Sequence, residues 1–306
     1  MQQHEVVIIG GGPAGLTAGI YTSRYGLDTL LLERGLYGGQ IVNARLVDNY
    51  PGFPDGVSGM DLGQLFYNQA LKFGLKMETV DVTGFIASDR GFILKTEDEE
   101  ISARAVIIAT GADYQKLNVD GESRLTGRGV SYCATCDGFL FRGKDVAVVG
   151  GGDTAATDAL ELSEHAAAVY LIHRRNQLRA AEINQRHVFA QPKIQMVWDS
   201  VVEKIEGQDK VTNLKVKNVK SGDSSSLNVD GVFVAIGLLP NNGLFKGIVD
   251  IDAAGNIVTD DMMRTSRPGI FAAGDIRRNS PRQVSAAVGD GATAAKSVFS
   301  FLREGA

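Results

Sequence analysis

The chain has 306 residues, 44% of them apolar, and a formal net charge of −5 at pH 7. That length suggests two domains, and the acidic balance argues against nucleic acid as a main partner, because phosphate backbones are gripped by basic surfaces. No run of 18 or more apolar residues occurs, so no membrane-spanning helix is expected.

The first twenty residues lack a basic leader, carry Glu5 and are rich in glycine. They read as strand, loop and helix of the mature fold rather than as a signal peptide, and the expected location is the cytoplasm. Val6-Val7-Ile8-Ile9 is a short β-branched strand leading into Gly10-Gly11-Gly12-Pro13-Ala14-Gly15. A helix over Leu16–Tyr25 and a second strand over Thr29–Glu33 follow. Val80–Leu94 alternates apolar and polar residues with Gly and Asp turns, a β pattern. Val106-Ile107-Ile108-Ala109 is a buried strand running into Thr110-Gly111. The only two cysteines stand three apart in Cys133-Ala134-Thr135-Cys136.

About 140 residues after the first glycine loop the same order returns. Val146-Ala147-Val148-Val149 leads into Gly150-Gly151-Gly152-Asp153-Thr154-Ala155. A helix over Ala156–Ser163 and a strand over Val169–His173 follow. Trp198–Val219 again alternates, and Ser221–Ser226 reads as a polar hairpin tip. Val232–Ile236 is a strand closing on Gly237. A final strand, Gly269–Asp275, precedes a small-residue helix over Val284–Leu302. The simplest partition inserts the second nucleotide unit into the first, with residues 1–112 and 245–306 in one domain and 115–243 in the other.

Each loop has the spacing of a dinucleotide fingerprint. The first glycine makes the tight turn, the second lets a pyrophosphate reach the backbone, and the third lets helix pack on strand. Gly10, Gly12 and Gly15 fill these places in the first copy, with Pro13 and Ala14 between. Gly150, Gly152 and Ala155 fill them in the second, with Asp153 and Thr154 between. Each helix start then offers free N–H groups to a phosphate. Glu33 ends the first copy's second strand, 18 residues beyond Gly15. A carboxylate there accepts from ribose hydroxyls and suits a nucleotide without a 2′-phosphate. The second copy ends in His173-Arg174-Arg175, with Arg179 shortly after. Those cations suit a 2′-phosphate, hence NADPH; the alternative is a solvated basic helix start.

A Cys-x-x-Cys pair permits a small disulfide ring that opens and closes locally, and such pairs usually sit at a helix start, where the thiolate is favoured. Asp137, next to Cys136, is placed to exchange a proton with the departing thiolate. The alternative is a buried, unreactive thiol pair. No metal is expected, since His4, His165, His173 and His187 show no ligand spacing near the cysteines.

Taken together, the Gly10 loop, Gly38-Gly39-Gln40, Asn49-Tyr50-Pro51-Gly52, Ala109-Thr110-Gly111, Cys133–Gly138, His173-Arg174-Arg175, Gly274-Asp275 and Arg282-Gln283 resemble the low-molecular-weight, bacterial-type thioredoxin reductases over nearly the whole chain. The resemblance implies an α/β fold of two Rossmann-like, three-layer ββα domains, with FAD in the discontinuous one and NADPH in the inserted one. It implies that Gly39, Gln40, Asn49, Thr110 and Gly111 line the FAD site, that Asp275 bonds the ribitol, and that Arg282 and Gln283 lie near the flavin ring. Gly237 is expected in the NADPH site. Cys136 is implied to face the flavin and Cys133 to attack thioredoxin or a similar small redoxin, with Asp137 as acid and base. That partner is expected against Arg128 and the apolar trio Phe139, Leu140 and Phe141. Family members are cytoplasmic homodimers. Leu140 departs from the aromatic residue common there, and Arg277-Arg278 is more basic than usual: these bases either contact the flavin diphosphate or are solvated, the second reading being favoured. The competing readings are the same chemistry with another redoxin acceptor, and a flavin redox sensor without turnover.

Overall fold

The computed structural model describes residues 2–44, 46–88 and 91–304. The chain forms two compact units, Met1–Asp113 with Leu239–Ala306, and Tyr114–Leu238. The second crossing comes before the residue 243 expected from sequence. The reason is local: Asn241 donates its N–H to Gly111 O at 3.0 Å and its side-chain amide to Thr110 O at 3.0 Å, and it accepts from Thr110 Oγ1 at 2.9 Å. Asn242 donates to Gly255 O. Residues 241–242 therefore belong with the first unit.

The first unit is built on one mixed sheet. Its parallel part runs Lys76–Thr79, Thr29–Glu33, Gln2–Ile9 and Glu100–Ile108. Glu100–Ile108 is long enough to serve two partners on its other edge. Its first half pairs antiparallel with Gly91–Lys95, which pairs in turn with Gly84–Ser88. Its last residues pair parallel with Ile270–Ala272. Val6, Val7, Ile8, Leu31, Ile107 and Ile108 are fully buried, the continuous apolar run expected of parallel strands covered on both faces. Each such side chain contributes roughly 1.5–3 kcal/mol. The helices Pro13–Arg24 and Val284–Glu304 pack closely because Gly291 brings one backbone against the other; an added Cβ there would lie 2.2 Å from Ala14 O.

The second unit has its own parallel sheet, ordered Ile194–Val197, Ala168–Ile172, Asp145–Gly150, Gly231–Ala235 and Val130–Ser131. The helix Asp153–Ser163 covers it through Ala155, Ala159 and Leu162. An antiparallel three-strand layer, Ser200–Glu206, Asn213–Asn218 and Ser224–Asn228, lies beyond. The expected polar tip at 221–226 is shorter than read: Ser224, Ser225 and Ser226 already pair with Lys217, Val216 and Lys215. No helix among the described residues is long and apolar enough to cross a membrane.

Candidate functional site

The first glycine loop joins the strand Gln2–Ile9 to the helix Pro13–Arg24. Gly10 has φ 107°, and an added Cβ would meet Ala109 O at 2.3 Å. At Gly15 a Cβ would lie 1.8 Å from Gly10 O. Both positions therefore require glycine. At Gly12, by contrast, an added Cβ meets nothing nearer than Gly39 Cα at 3.9 Å. Gly12 caps a helix with Pro13 in its first turn and no side-chain cap. Ala14 is buried directly behind it. The result is an open cradle of uncapped N–H groups, which fits a diphosphate.

Glu33 is held from both sides. Gly11 N donates to Oε2 at 2.5 Å and Gly35 N to Oε1 at 2.8 Å. The carboxylate is fixed at the loop and keeps lone pairs for a ribose. Gln40 donates to Asp113 Oδ1 at 2.8 Å, and Arg34 pairs with the other oxygen at 3.3 Å. Asn49 Nδ2 donates to Gln283 Oε1 at 3.1 Å, which joins two predicted site residues 234 positions apart. Ser280 Oγ donates to Asp275 Oδ1 at 3.0 Å. Burial raises the Asp275 carboxyl above the usual range, with Ser280 opposing. Arg282 takes a left-handed φ of 57°, steadied by its N–H to Ser280 Oγ.

Sequence reading missed two supports of this cradle. One is Asn241, described above. The other is Asp290, which takes the Arg277 guanidinium and the Gly274 N–H. Arg277 is thus a half-buried ion-pair partner and not the solvated base favoured from the sequence. The polar spacing offered no signal for either.

In the second unit the loop Gly150–Ala155 repeats the design with one difference. Ala155 is fully buried where the first copy has Gly15. Gly152 caps the next helix without a side-chain cap, and nothing lies within 4 Å of a Cβ added there. Asp153 turns away from the cradle: its Oδ1 accepts from Ala181 N at 2.7 Å and Asn184 Nδ2 at 2.9 Å, which lower its pKa. Thr154 is exposed in the first turn. Gly237 has φ 134° and an added Cβ would lie 3.2 Å from Gln115 Oε1.

His173 is buried, and its ring lies where a Cβ of Gly151 would be, at 2.2 Å. Burial and then Arg179, Arg175 and Arg174 lower its pKa. The imidazole is neutral at pH 7, so the cationic group counts three and not four. Its Nε2 has no partner among the described residues. Arg174, Arg175 and Arg179 are exposed, and none makes an ion pair among the described residues. Arg179 N donates to Gly151 O at 2.6 Å, which holds the arginine loop to the glycine loop.

Cys133 and Cys136 form a disulfide with Cα atoms 5.3 Å apart. Cys133 caps the short turn Ala134–Asp137, and its Sγ accepts from Cys136 N at 3.2 Å. Both cysteines are partly exposed. Ser131 Oγ donates to Asp137 Oδ2 at 2.6 Å and accepts from Cys133 N at 3.1 Å. One hydroxyl therefore fixes the acid relative to the sulfur pair. Tyr132 donates to the buried Glu122, whose oxygens also take Leu117 N and Asn118 N. Burial and Glu122 push the Tyr132 phenol up. No metal-binding cluster occurs among the described residues.

Of the apolar trio, Phe141 is core. It is 8% exposed and meets Phe233 edge-on at 5.2 Å. It is not available as a docking surface; Phe139 and Leu140 are half-buried, and Arg128 is exposed.

Residues 4–291 match the family model described as pyridine nucleotide-disulphide oxidoreductase. The chain belongs to that family. It is 44% identical over 302 residues to a thioredoxin reductase of Bacillus subtilis, covering 98% of this chain and 95% of that protein. A thioredoxin reductase of Listeria innocua is also 44% identical, covering 98% and 94%. The crystal structure of thioredoxin reductase from Streptococcus pyogenes superposes with a TM-score of 0.95 at 44% identity, covering 99% of both chains. This oxidoreductase is an NADPH-dependent flavoprotein disulfide reductase with FAD as its cofactor. The two open glycine cradles fit two dinucleotides, and the disulfide supplies the redox centre.

Proposed function

We propose that the enzyme reduces the disulfide of thioredoxin, with electrons passing from NADPH to the Cys133–Cys136 pair and then to the partner. The observation that carries this reading is the position of the disulfide. It lies in a partly exposed turn, with Asp137 fixed beside it by Ser131 and a dinucleotide cradle in the same unit. The 44% identity to thioredoxin reductases over 98% of the chain supports the acceptor.

FAD, when bound, supplies two-electron transfer between the nicotinamide and the disulfide. We assign it to the first unit, with its diphosphate at Gly10, Gly12, Pro13, Ala14, Gly15 and Gly39 and its ribose at Glu33. Gln40, Asn49, Thr110, Gly111, Asp275, Arg282 and Gln283 line the rest. We assign NADPH to the second unit: diphosphate at Gly150, Gly152, Thr154 and Ala155 and at the N–H of Asp153, whose carboxylate is engaged elsewhere, with Gly237 opposite. Arg174, Arg175 and Arg179 hold the 2′-phosphate, and His173 supports the loop from below. Cys133 attacks the partner disulfide, Cys136 closes the ring, and Asp137 moves the proton. Arg128 with Phe139 and Leu140 contacts the partner. The protein works as a homodimer in the cytoplasm, where disulfides are transient and catalytic.

The test mixes FAD-loaded protein with NADPH, a thioredoxin and a disulfide dye, beside Cys136→Ser. Thioredoxin-dependent turnover that vanishes in the variant is expected. Flavin bleaching by NADPH without acceleration by thioredoxin would point to another acceptor. Light scattering tests the dimer.

A further inference from the structure

Between the strand Ile194–Val197 of the parallel sheet and the strand Ser200–Glu206 of the antiparallel layer, the chain turns on Trp198 and Asp199. Asp199 makes the turn with a left-handed φ of 50°. Aspartate is among the few residues with a side chain that take this conformation readily. The turn runs beside the basic loop. His173 N donates to Val197 O at 3.0 Å, Ser200 N to His173 O at 3.0 Å and Asp199 N to Arg175 O at 3.2 Å. The strand Ala168–Ile172 ends before these bonds, so the backbone of Arg175 is held by the turn and not by the sheet ladder.

Asp199 is itself held from the other side. Its carbonyl accepts from Val219 N at 2.6 Å, and its carboxylate pairs with Lys220 Nζ at 3.0 Å. Asn218 Oδ1 accepts from Lys220 N at 2.9 Å and from Ser221 N at 3.1 Å, which fixes that hairpin end. Among the described residues the carboxylate pairs with Lys220 and with no arginine of the loop, so Arg174, Arg175 and Arg179 stay open.

We propose that Asp199 is a positioning residue for coenzyme choice. Its left-handed backbone places the N–H that holds Arg175, and so fixes the main chain from which that guanidinium reaches the 2′-phosphate. This rests on the reading above that Arg174, Arg175 and Arg179 take the 2′-phosphate. The role belongs to the backbone conformation and not to the carboxylate. NADP⁺ and NAD⁺ differ by the 2′-phosphate alone, so a fault in this hold weakens NADP⁺ and spares NAD⁺.

The test titrates the oxidised, FAD-loaded enzyme with NADP⁺ and with NAD⁺ by calorimetry, which needs no disulfide partner. Asp199→Val puts a β-branched side chain at a left-handed position. It should weaken NADP⁺ by about 5- to 30-fold, the factor that such a backbone costs one residue, and leave NAD⁺ unchanged. Asp199→Asn and Asp199→Gly keep the conformation and should bind both coenzymes within about twofold of wild type. Asp199→Ala carries the same strain on a smaller side chain and gives the reading if the valine variant does not fold. Unchanged NADP⁺ binding in the strained variant overturns the proposal. So does an asparagine loss as large as the valine loss, which would place the effect in the carboxylate. Equal losses for NADP⁺ and NAD⁺ overturn it as well, since the turn would then serve the fold alone. Arg175→Ala runs beside them. If it weakens NADP⁺ while Asp199→Val does not, this proposal alone falls; if neither variant affects NADP⁺, the 2′-phosphate reading falls with it.

Discussion

Arg277 and Asp290 meet in a two-point ion pair, with Nη2 donating to Oδ1 at 2.8 Å and Nε to Oδ2 at 2.5 Å. The side chains are 16% and 8% exposed. Through Gly274 N, the same carboxylate ties the C-terminal helix to the turn before Asp275. Asp290→Asn leaves a largely buried guanidinium without its counter-charge, and removing one partner of such a pair costs about 3 kcal/mol. Denaturant unfolding of the FAD-loaded variant should show that loss, with faster release of flavin. A change below about 1 kcal/mol would mean that solvent replaces Asp290 freely.

The exposed arginines predict coenzyme choice. A charge-assisted hydrogen bond to the 2′-phosphate contributes roughly 1.5–3 kcal/mol. Arg175→Ala should therefore raise KM for NADPH about 10- to 100-fold and leave KM for NADH unchanged. Equal losses for both coenzymes would move the 2′-phosphate elsewhere.

Ser131 predicts a subtler defect than Asp137. Asp137→Asn removes the proposed proton-transfer group and should lower thioredoxin reduction by ~10²- to 10⁴-fold, the usual range for such a group. Ser131→Ala leaves the acid present but unheld. It should lower kcat by about tenfold and displace the pH profile, while flavin reduction by NADPH proceeds at the wild-type rate. An unchanged pH profile would show that the hydroxyl does not set the acid.

Asp158, on the helix Asp153–Ser163, is pushed up to about 7 by burial and by Glu161 and so predicts a pH dependence of stability. Its folded pKa of about 7 lies above the unfolded value of 3.8. The fold therefore favours the protonated form. That contribution is complete below about pH 4 and is lost as pH rises through 7. Each pH unit of difference is worth about 1.4 kcal/mol, so the carboxylate costs as much as ~4 kcal/mol at pH 8. Asp158→Asn should be more stable than wild type at pH 8, with the advantage fading towards pH 4. Parallel stability curves across that range would refute the burial assigned to this side chain.

The two βαβ starts were legible because their chemistry is local. Glycine at 10, 15 and 150 is forced by contacts within a few residues of the loop or with the next strand, and β-branched runs announce the strands. The helix Gly59–Lys72 was not found, although Ser58 accepts from Asp61 N in the manner of a capping residue. Gly59 and Gly63 lower its propensity and hid the pattern. Phe141 was misplaced because an aromatic residue beside a functional motif reads the same whether it faces solvent or Phe233. Asp290 and Asn241 were invisible for another reason. Their partners lie 13 and 131 positions away, and polar residues carry no periodic mark of such pairing.

The loop that carries the arginines is pinned at one end by Asp199 N, which donates to Arg175 O, and at the other by Arg179 N to Gly151 O and Ala181 N to the Asp153 carboxylate. Its guanidiniums themselves bear no ion pair among the described residues. The frame and the recognition are thus separable. Arg174 and Arg175 are open to replacement over evolutionary time without loosening the sheet; under the 2′-phosphate assignment proposed above, a lineage exchanges one nicotinamide currency for another by altering two or three exposed side chains while the cysteine turn continues unchanged.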